Sequence, residues 1–211
     1  DAMEGAPVLV KGGDSTLSVE GIGGSLSLDG GAGATGGEVS ITSGPGSTSR
    51  GGAINVEAGS GLGTGGNIKV TGGESRFGLG DGGAVEVEGG NSYGSGAGGS
   101  LLLTGGASDE GAGGSVVMRS ADSDSSNEDS GSVVITSGSS SVKSSGSVSI
   151  LTGDTLSADA GSVLMQAGSS LGSEGTSGGS VVVNAGTGTG GGSVLISAGE
   201  SDSDDPEEAV G

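Results

Sequence analysis

A short motif that recurs along almost the whole chain constrains its fold more than any other feature. The motif has the form G-[GS]-x-V-x-V-x-[AST]-G, and clear copies are 65–72, 131–138 and 191–199. We identify fourteen copies, whose first apolar residues are 9 to 18 positions apart. These first residues are Val8, Leu17, Leu26, Val39, Ile54, Ile68, Val85, Leu101, Val116, Val133, Val148, Val163, Val181 and Val194. A repeat of this density has to be interpreted first, because it determines the fold class.

Each copy alternates apolar residues with other residues over about five positions. Period-two spacing, β-branched residues and flanking Gly or Ser clusters are typical of short strands that bury one face. A glycine inside a helix costs about 1 kcal/mol relative to Ala, and the chain contains 54 glycines. The sequence therefore predicts strands and argues against helices. The strands keep their length from copy to copy, whereas the intervening loops vary.

One strand with two large inward side chains buries too little apolar surface to be stable alone. Stacked copies cover one another, so we expect an all-β fold, a parallel β-solenoid with a thin Val/Ile/Leu core. Small residues such as Gly131 and Ser137 flank each apolar pair. Their size would let the two walls of the solenoid approach each other at its corners.

The outward residues favour a particular coil. Apolar outward residues recur in every second copy, which predicts two short strands per coil of about 31 residues, about seven coils and a length of roughly 34 Å at about 4.8 Å per coil. A three-sided solenoid is the alternative, especially near the N-terminus, where the first copies are 9 residues apart. We assign residues 1–199 to a single solenoid domain, with a short-loop part at 7–38, and residues 200–211 to an acidic irregular tail.

Composition excludes several functional classes. The absence of Cys and His rules out disulfides and zinc sites built on those residues. A net charge of -20, with 26 acidic and 6 basic residues, repels phosphate backbones, so nucleic acid is not an expected partner. The longest apolar runs have three residues, as at 101–103, far below the roughly 20 that a membrane span needs. With one Tyr and one Phe, the chain offers few groups to line an enzyme pocket.

Glycine-rich, serine-rich, acidic arrays of this motif resemble the β-solenoid repeat proteins of secreted algal, diatom-like type. The resemblance extends from Val8 to Gly199. It implies secretion and a structural or extracellular-matrix role, and it transfers no catalytic residue. The chain departs from the calcium-binding nonapeptide repeats G-G-x-G-x-D-x-U-x, because no loop places an Asp at the required offset in successive copies.

Acidic residues give two weaker candidate sites. The outward pair Glu86 and Glu88 could serve glycoside hydrolysis, but a solvated face in which Arg119 pairs with Glu88 is the favoured interpretation. Hard cations prefer carboxylate oxygens, so loosely bound calcium is the one candidate cofactor. The residues that would attract it are Asp122, Asp124, Glu128, Asp129, Asp202, Asp204 and Asp205.

Exposed apolar residues predict where copies of the chain meet. Outward residues of alternate copies should form one ladder, with a weaker second face and open strand edges at both ends that invite addition of further copies. The ladder is Leu102, Val134, Leu164 and Leu195, the second face Val117 and Val182, and the end edges Val8, Val10, Val194 and Ile196.

The sequence thus predicts a non-enzymatic, self-associating building block of a secreted fibre, coat or extracellular matrix, present as a homo-oligomer or filament. A solenoid that binds cations, mineral or ice is the alternative. A polysaccharide-active enzyme is less favoured.

Overall fold

The computed structural model describes residues 5–16, 20–76, 80–124, 128–172 and 175–200. These residues contain no α-helix and no β-strand, so there are no element bounds to give. The predicted parallel β-solenoid is therefore wrong, in both its two-strand and its three-sided form. The described chain is instead a series of irregular segments and loops.

The predicted Val/Ile/Leu core is also absent, since no described apolar side chain is buried. The chain exposes 20915 Å² of accessible surface. A folded protein of 19.2 kDa exposes about 8,400 Å² and its unfolded chain about 28,000 Å². The surface is closer to the unfolded value, so most apolar side chains remain in contact with water.

The composition explains why the alternating pattern does not produce a sheet. Each copy has only two inward apolar side chains, so ordering a copy buries little surface. Glycine loses more backbone freedom on ordering than any other residue, and the chain has 54 of them. Self-repulsion from a net charge of -20 acts against compaction as well.

Backbone hydrogen bonds close the loops in a regular way. In each loop closure, the N–H of the glycine two positions before the first apolar residue of a copy donates to the carbonyl of the residue five positions after the first apolar residue of an earlier copy. Eleven such closures occur among the described residues, with N···O distances of 2.8–3.4 Å. The donor and acceptor pairs are Gly24 and Gly13, Gly37 and Gly31, Gly52 and Gly44, Gly66 and Gly59, Gly83 and Gly73, Gly99 and Gly90, Gly114 and Gly106, Gly131 and Ala121, Gly146 and Gly138, Gly179 and Gly168, and Gly192 and Gly186.

The closures divide the chain into segments of constant length. A segment runs from the donor glycine of one closure to the acceptor of the next, and nine such segments are eight residues long, whereas the stretch from Gly146 to Gly168 contains two motif copies and the loop without a closure. The nine segments closed at both ends are 24–31, 37–44, 52–59, 66–73, 83–90, 99–106, 114–121, 131–138 and 179–186. The loops between closing partners contain 5 to 10 residues. The prediction of constant repeats and variable loops agrees with this arrangement, although the repeats are not strands.

The second predicted copy lies partly outside the described residues, which omit its positions 17–19. On either side of it, Gly24 N–H donates to the Gly13 carbonyl at 2.8 Å.

Small residues make the closures possible. We call the residue four positions after the first apolar residue of a copy the closing residue. It lies against the donor glycine of the closure that follows: Ser137 Cβ, for example, would be 3.4 Å from a Cβ at Gly146. All seven half-buried residues among those described are closing residues. They are Gly12, Ser43, Ala58, Gly72, Gly105, Ser120 and Ala167.

Contacts divide the chain into two units, Asp1–Leu103 and Thr104–Gly211. The first contains the closures from Gly13 with Gly24 to Gly90 with Gly99, and the second those from Gly106 with Gly114 to Gly186 with Gly192. Both units have the same organisation of segments and closed loops. The predicted acidic tail, 200–211, lies outside the described residues except for Glu200.

Candidate self-association surface

Three consecutive apolar residues occupy the middle of many segments and are exposed. In 133–135, the fractional exposures are 53% for Val133, 76% for Val134 and 61% for Ile135. A folded domain would bury at least one residue of such a triplet. Here every triplet offers apolar surface to a partner.

The alternation predicted from the sequence remains visible in these exposures. From Leu26 to Val194, the first apolar residue of each copy is 50–56% exposed. The outward residues predicted to self-associate are 72–89% exposed. The first apolar residue of a pair is therefore more covered than the outward residue that follows it, although both are exposed. The second apolar residue is 61–74% exposed from Leu28 to Val183, which overlaps the range of the outward residues.

The predicted ladder residues Leu102, Val134, Leu164 and Leu195 are all highly exposed, as are Val117 and Val182. Their alignment in register depended on the solenoid. No sheet holds them in register in the part of the chain that the structure describes. They are therefore separate apolar sites, one per segment.

The predicted end edges are exposed but are not strand edges. Val8 is 90% exposed and Ile196 is 91% exposed, whereas Val10 and Val194 are more covered. End addition by strand pairing has no preformed template here, since neither end belongs to a strand in the described residues.

A second set of apolar residues was missed by the sequence analysis, which considered only the repeats. These side chains lie within the loops and are among the most exposed of all: Ile22, Leu62, Tyr93, Val142, Leu156 and Leu171. A large apolar residue surrounded by Gly and Ser between two motif copies was the available signal. Both the segments and the loops therefore present apolar groups to solvent.

The acidic candidates do not form a metal site among the residues that the structure describes. No group of three or more carboxylates there could hold a metal ion. Asp122, Asp124, Glu128 and Asp129 are exposed, and Asp122 Oδ2 lies 4.0 Å from Arg119 Nη1. Asp202, Asp204 and Asp205 lie outside the described residues.

The carboxylates Glu86 and Glu88 are exposed, and no buried side chain in the described part of the chain forms a desolvated cleft around them. The predicted ion pair of Arg119 with Glu88 is wrong. Arg119 lies instead beside Asp122, three positions away in sequence.

Other ion pairs are equally local. Lys11 Nζ lies 2.6 Å from Asp14 Oδ2, and Arg76 Nε lies 3.2 Å from Glu74 Oε2. Exposed pairs of this kind contribute about 0–1 kcal/mol. They neutralise a small part of the acidic charge and leave the chain as a whole strongly anionic, with a net charge of -20.

Among the described residues, no helix has both the length and the apolar character required to cross a membrane. Comparisons of the chain with protein-family models, curated proteins and solved structures give no match.

Proposed function

We propose that the chain is a self-associating structural repeat protein that buries its exposed apolar triplets against other copies of itself. The observation that supports this proposal is the regular exposure of Val, Ile and Leu in the segments. A contiguous apolar surface left in water favours association. A secreted or extracellular fibre, coat or matrix is the setting that the resemblance of the repeats suggests.

A second copy fits this surface better than an unlike partner. Similar apolar triplets recur along the chain, so a triplet of one copy can meet an equivalent triplet on another. They lie at 8–10, 101–103, 116–118, 133–135, 163–165, 181–183 and 194–196. Burial of one such side chain contributes about 1.5–3 kcal/mol. Many weak sites linked on one chain give an avidity well above that of a single site.

Charge limits this association and makes it tunable. Two copies, each with a net charge of -20, repel one another at low ionic strength. The Debye length falls from about 10 Å at 0.1 M salt to about 3 Å at 1 M. Added salt therefore weakens the repulsion without weakening apolar contacts.

The test places charge in two triplets. Replacing Val134 and Leu164 together with Lys removes two exposed apolar side chains, and we expect a several-fold weaker association in sedimentation velocity. The matched control, Ser132→Lys with Ser162→Lys, introduces the same charge into the same segments and leaves the triplets intact. Control and wild type should associate similarly. Equal assembly of the two Lys variants, or a wild type that stays monomeric at all salt concentrations, would contradict the proposal.

A further inference from the structure

The closed loops store chain length between segments of fixed size. Each closure joins two residues whose N and O atoms are 2.8–3.4 Å apart, although 5 to 10 residues separate them along the chain. Fully extended, a loop of that size spans roughly 17–36 Å. The closures lie one after another along the chain, so a tension applied to its ends reaches every one of them.

We propose that the closures act as reversible length stores, which open under tension and lengthen the chain while the eight-residue segments keep their apolar sites. Each closure depends on one backbone hydrogen bond and on the contact of two small residues. It is therefore weak enough to open singly. A ten-residue loop closes in about 10–100 ns, so an opened loop closes again as soon as the tension falls.

The N···O distance of a closure differs with the side chain of its closing residue. Where that residue is Gly, the N···O distance is 2.8–2.9 Å, and where it is Ala, 2.9 Å. Serine gives 2.9 Å beside Ser43, 3.2 Å beside Ser120 and 3.4 Å beside Ser137. Beside Thr152, the β-branched residue of the series, Gly161 makes no such hydrogen bond, although the whole loop from Gly153 to Gly161 is described. The two lengthened closures and the missing one therefore all have Ser or Thr as the closing residue.

Steric contact explains why a β-branched closing residue opposes closure. A Cβ added at Gly30, Gly89 or Gly105 would meet the carbonyl group of the glycine across the closure, with its carbon 2.8–2.9 Å away. A Cβ added one residue later, at Gly31, Gly90 or Gly106, has no atom within 4 Å. The chain thus provides neighbouring positions at which the same substitution does, or does not, obstruct a closure.

This property belongs to a single chain and does not depend on self-association. A fibre made of such chains would lengthen at its loops and keep its contacts at the segments. Failure of the self-association proposal would leave the length stores intact, and their failure would leave the association unaffected.

The experiment stretches single molecules of the full chain between two handles in optical tweezers. The test variant carries Gly30→Val, Gly89→Val and Gly105→Val, and the control carries Gly31→Val, Gly90→Val and Gly106→Val. The three affected loops contain 5, 8 and 7 residues between their closing partners. At low tension we expect the test variant to be longer than wild type by a fraction of the roughly 70 Å that the three loops span when fully extended, because open Gly/Ser-rich loops are still coiled there.

The control should follow the wild-type curve, and all three curves should converge at high tension, where every loop is open. Relaxation curves should retrace the stretching curves. Identical low-tension lengths for all three chains would overturn the proposal, as would equal lengthening of test variant and control.

Discussion

At the scale of single residues, the structure depends on where side chains are missing. Glycine begins each copy because the closure that precedes the copy leaves little room for a Cβ: at Gly131, a Cβ would lie 3.2 Å from that of Ser120. Conformation requires glycine at only a few described positions. Gly191, with φ of 58°, and Gly175, with φ of 95°, lie in the left-handed region.

Gly191→Ala tests the conformational requirement. The Gly191 N–H donates to the Gly188 carbonyl at 3.2 Å, and a Cβ at Gly191 would meet no atom within 4 Å, so the substitution acts through backbone strain alone. We expect it to destabilise this turn by about 1–2 kcal/mol. The turn population can be measured from backbone scalar couplings by NMR. Gly190→Ala is the control, and an equal effect of both substitutions would contradict the assignment.

At the scale of elements, the unit is a segment followed by a closed loop. The loop from Gly153 to Gly161 is the exception, since it has no closing hydrogen bond among the described residues. Its closing residue is Thr152, which carries two heavy atoms on Cβ. A Cβ at Gly161 would lie 3.5 Å from both the Cβ and the Cγ2 of Thr152.

Thr152→Gly should therefore create a closure that wild type lacks. Without the side chain, Gly161 can approach the Gly153 carbonyl as Gly99 approaches Gly90. A net hydrogen bond of about 0.5–1.5 kcal/mol corresponds to a two- to tenfold slower exchange of the Gly161 amide, measurable by NMR. Ala185→Gly, at a closure that already forms, should change the Gly192 amide little. An unchanged Gly161 rate would show that Thr152 does not block the closure.

Local features of these elements could be predicted from the sequence. The constant segment, the variable loop and the convergence of small residues such as Gly131 and Ser120 all follow from the motif, because each depends on neighbouring residues. The more exposed position of Val134 relative to Val133 follows from the same alternation. The closing hydrogen bonds themselves leave no separate signal in the sequence, because every loop begins and ends in Gly or another small residue whether it closes or not.

The sheet could not be predicted correctly from the same pattern. Alternation indicates which side of a segment is apolar, but a strand also needs a partner, and the pairing depends on whether burial outweighs the backbone entropy of a glycine-rich chain. The prediction of the self-association surface failed for the same reason, because it also depended on the sheet. Leu102 and Leu195 are exposed as predicted, but the ladder that would have aligned them needed the sheet.

At the scale of the whole molecule, charge and apolar exposure act against each other. A chain with a net charge of -20 keeps its copies apart, while exposed triplets in the described segments favour contact. The balance depends on salt because only the repulsion is screened.

Association should therefore increase as salt is raised. We expect the mean mass from static light scattering to rise between about 0.01 and 1 M salt, over which the Debye length falls from about 30 to 3 Å. The series is made with a monovalent salt so that screening alone varies. A mass that falls with salt would indicate that ion pairs, rather than apolar contacts, hold the copies together.

Amide hydrogen exchange on the dilute full chain, followed residue by residue by NMR, tests the central claim most directly. The account predicts slowing of about two- to tenfold, as expected for single exposed hydrogen bonds, at the glycines that donate the eleven closures. Amides inside the segments, such as those of Val134 and Leu164, should exchange at nearly the rate of an unstructured chain. Strong protection along whole segments would contradict the account, because it would require the sheet that the described residues do not contain.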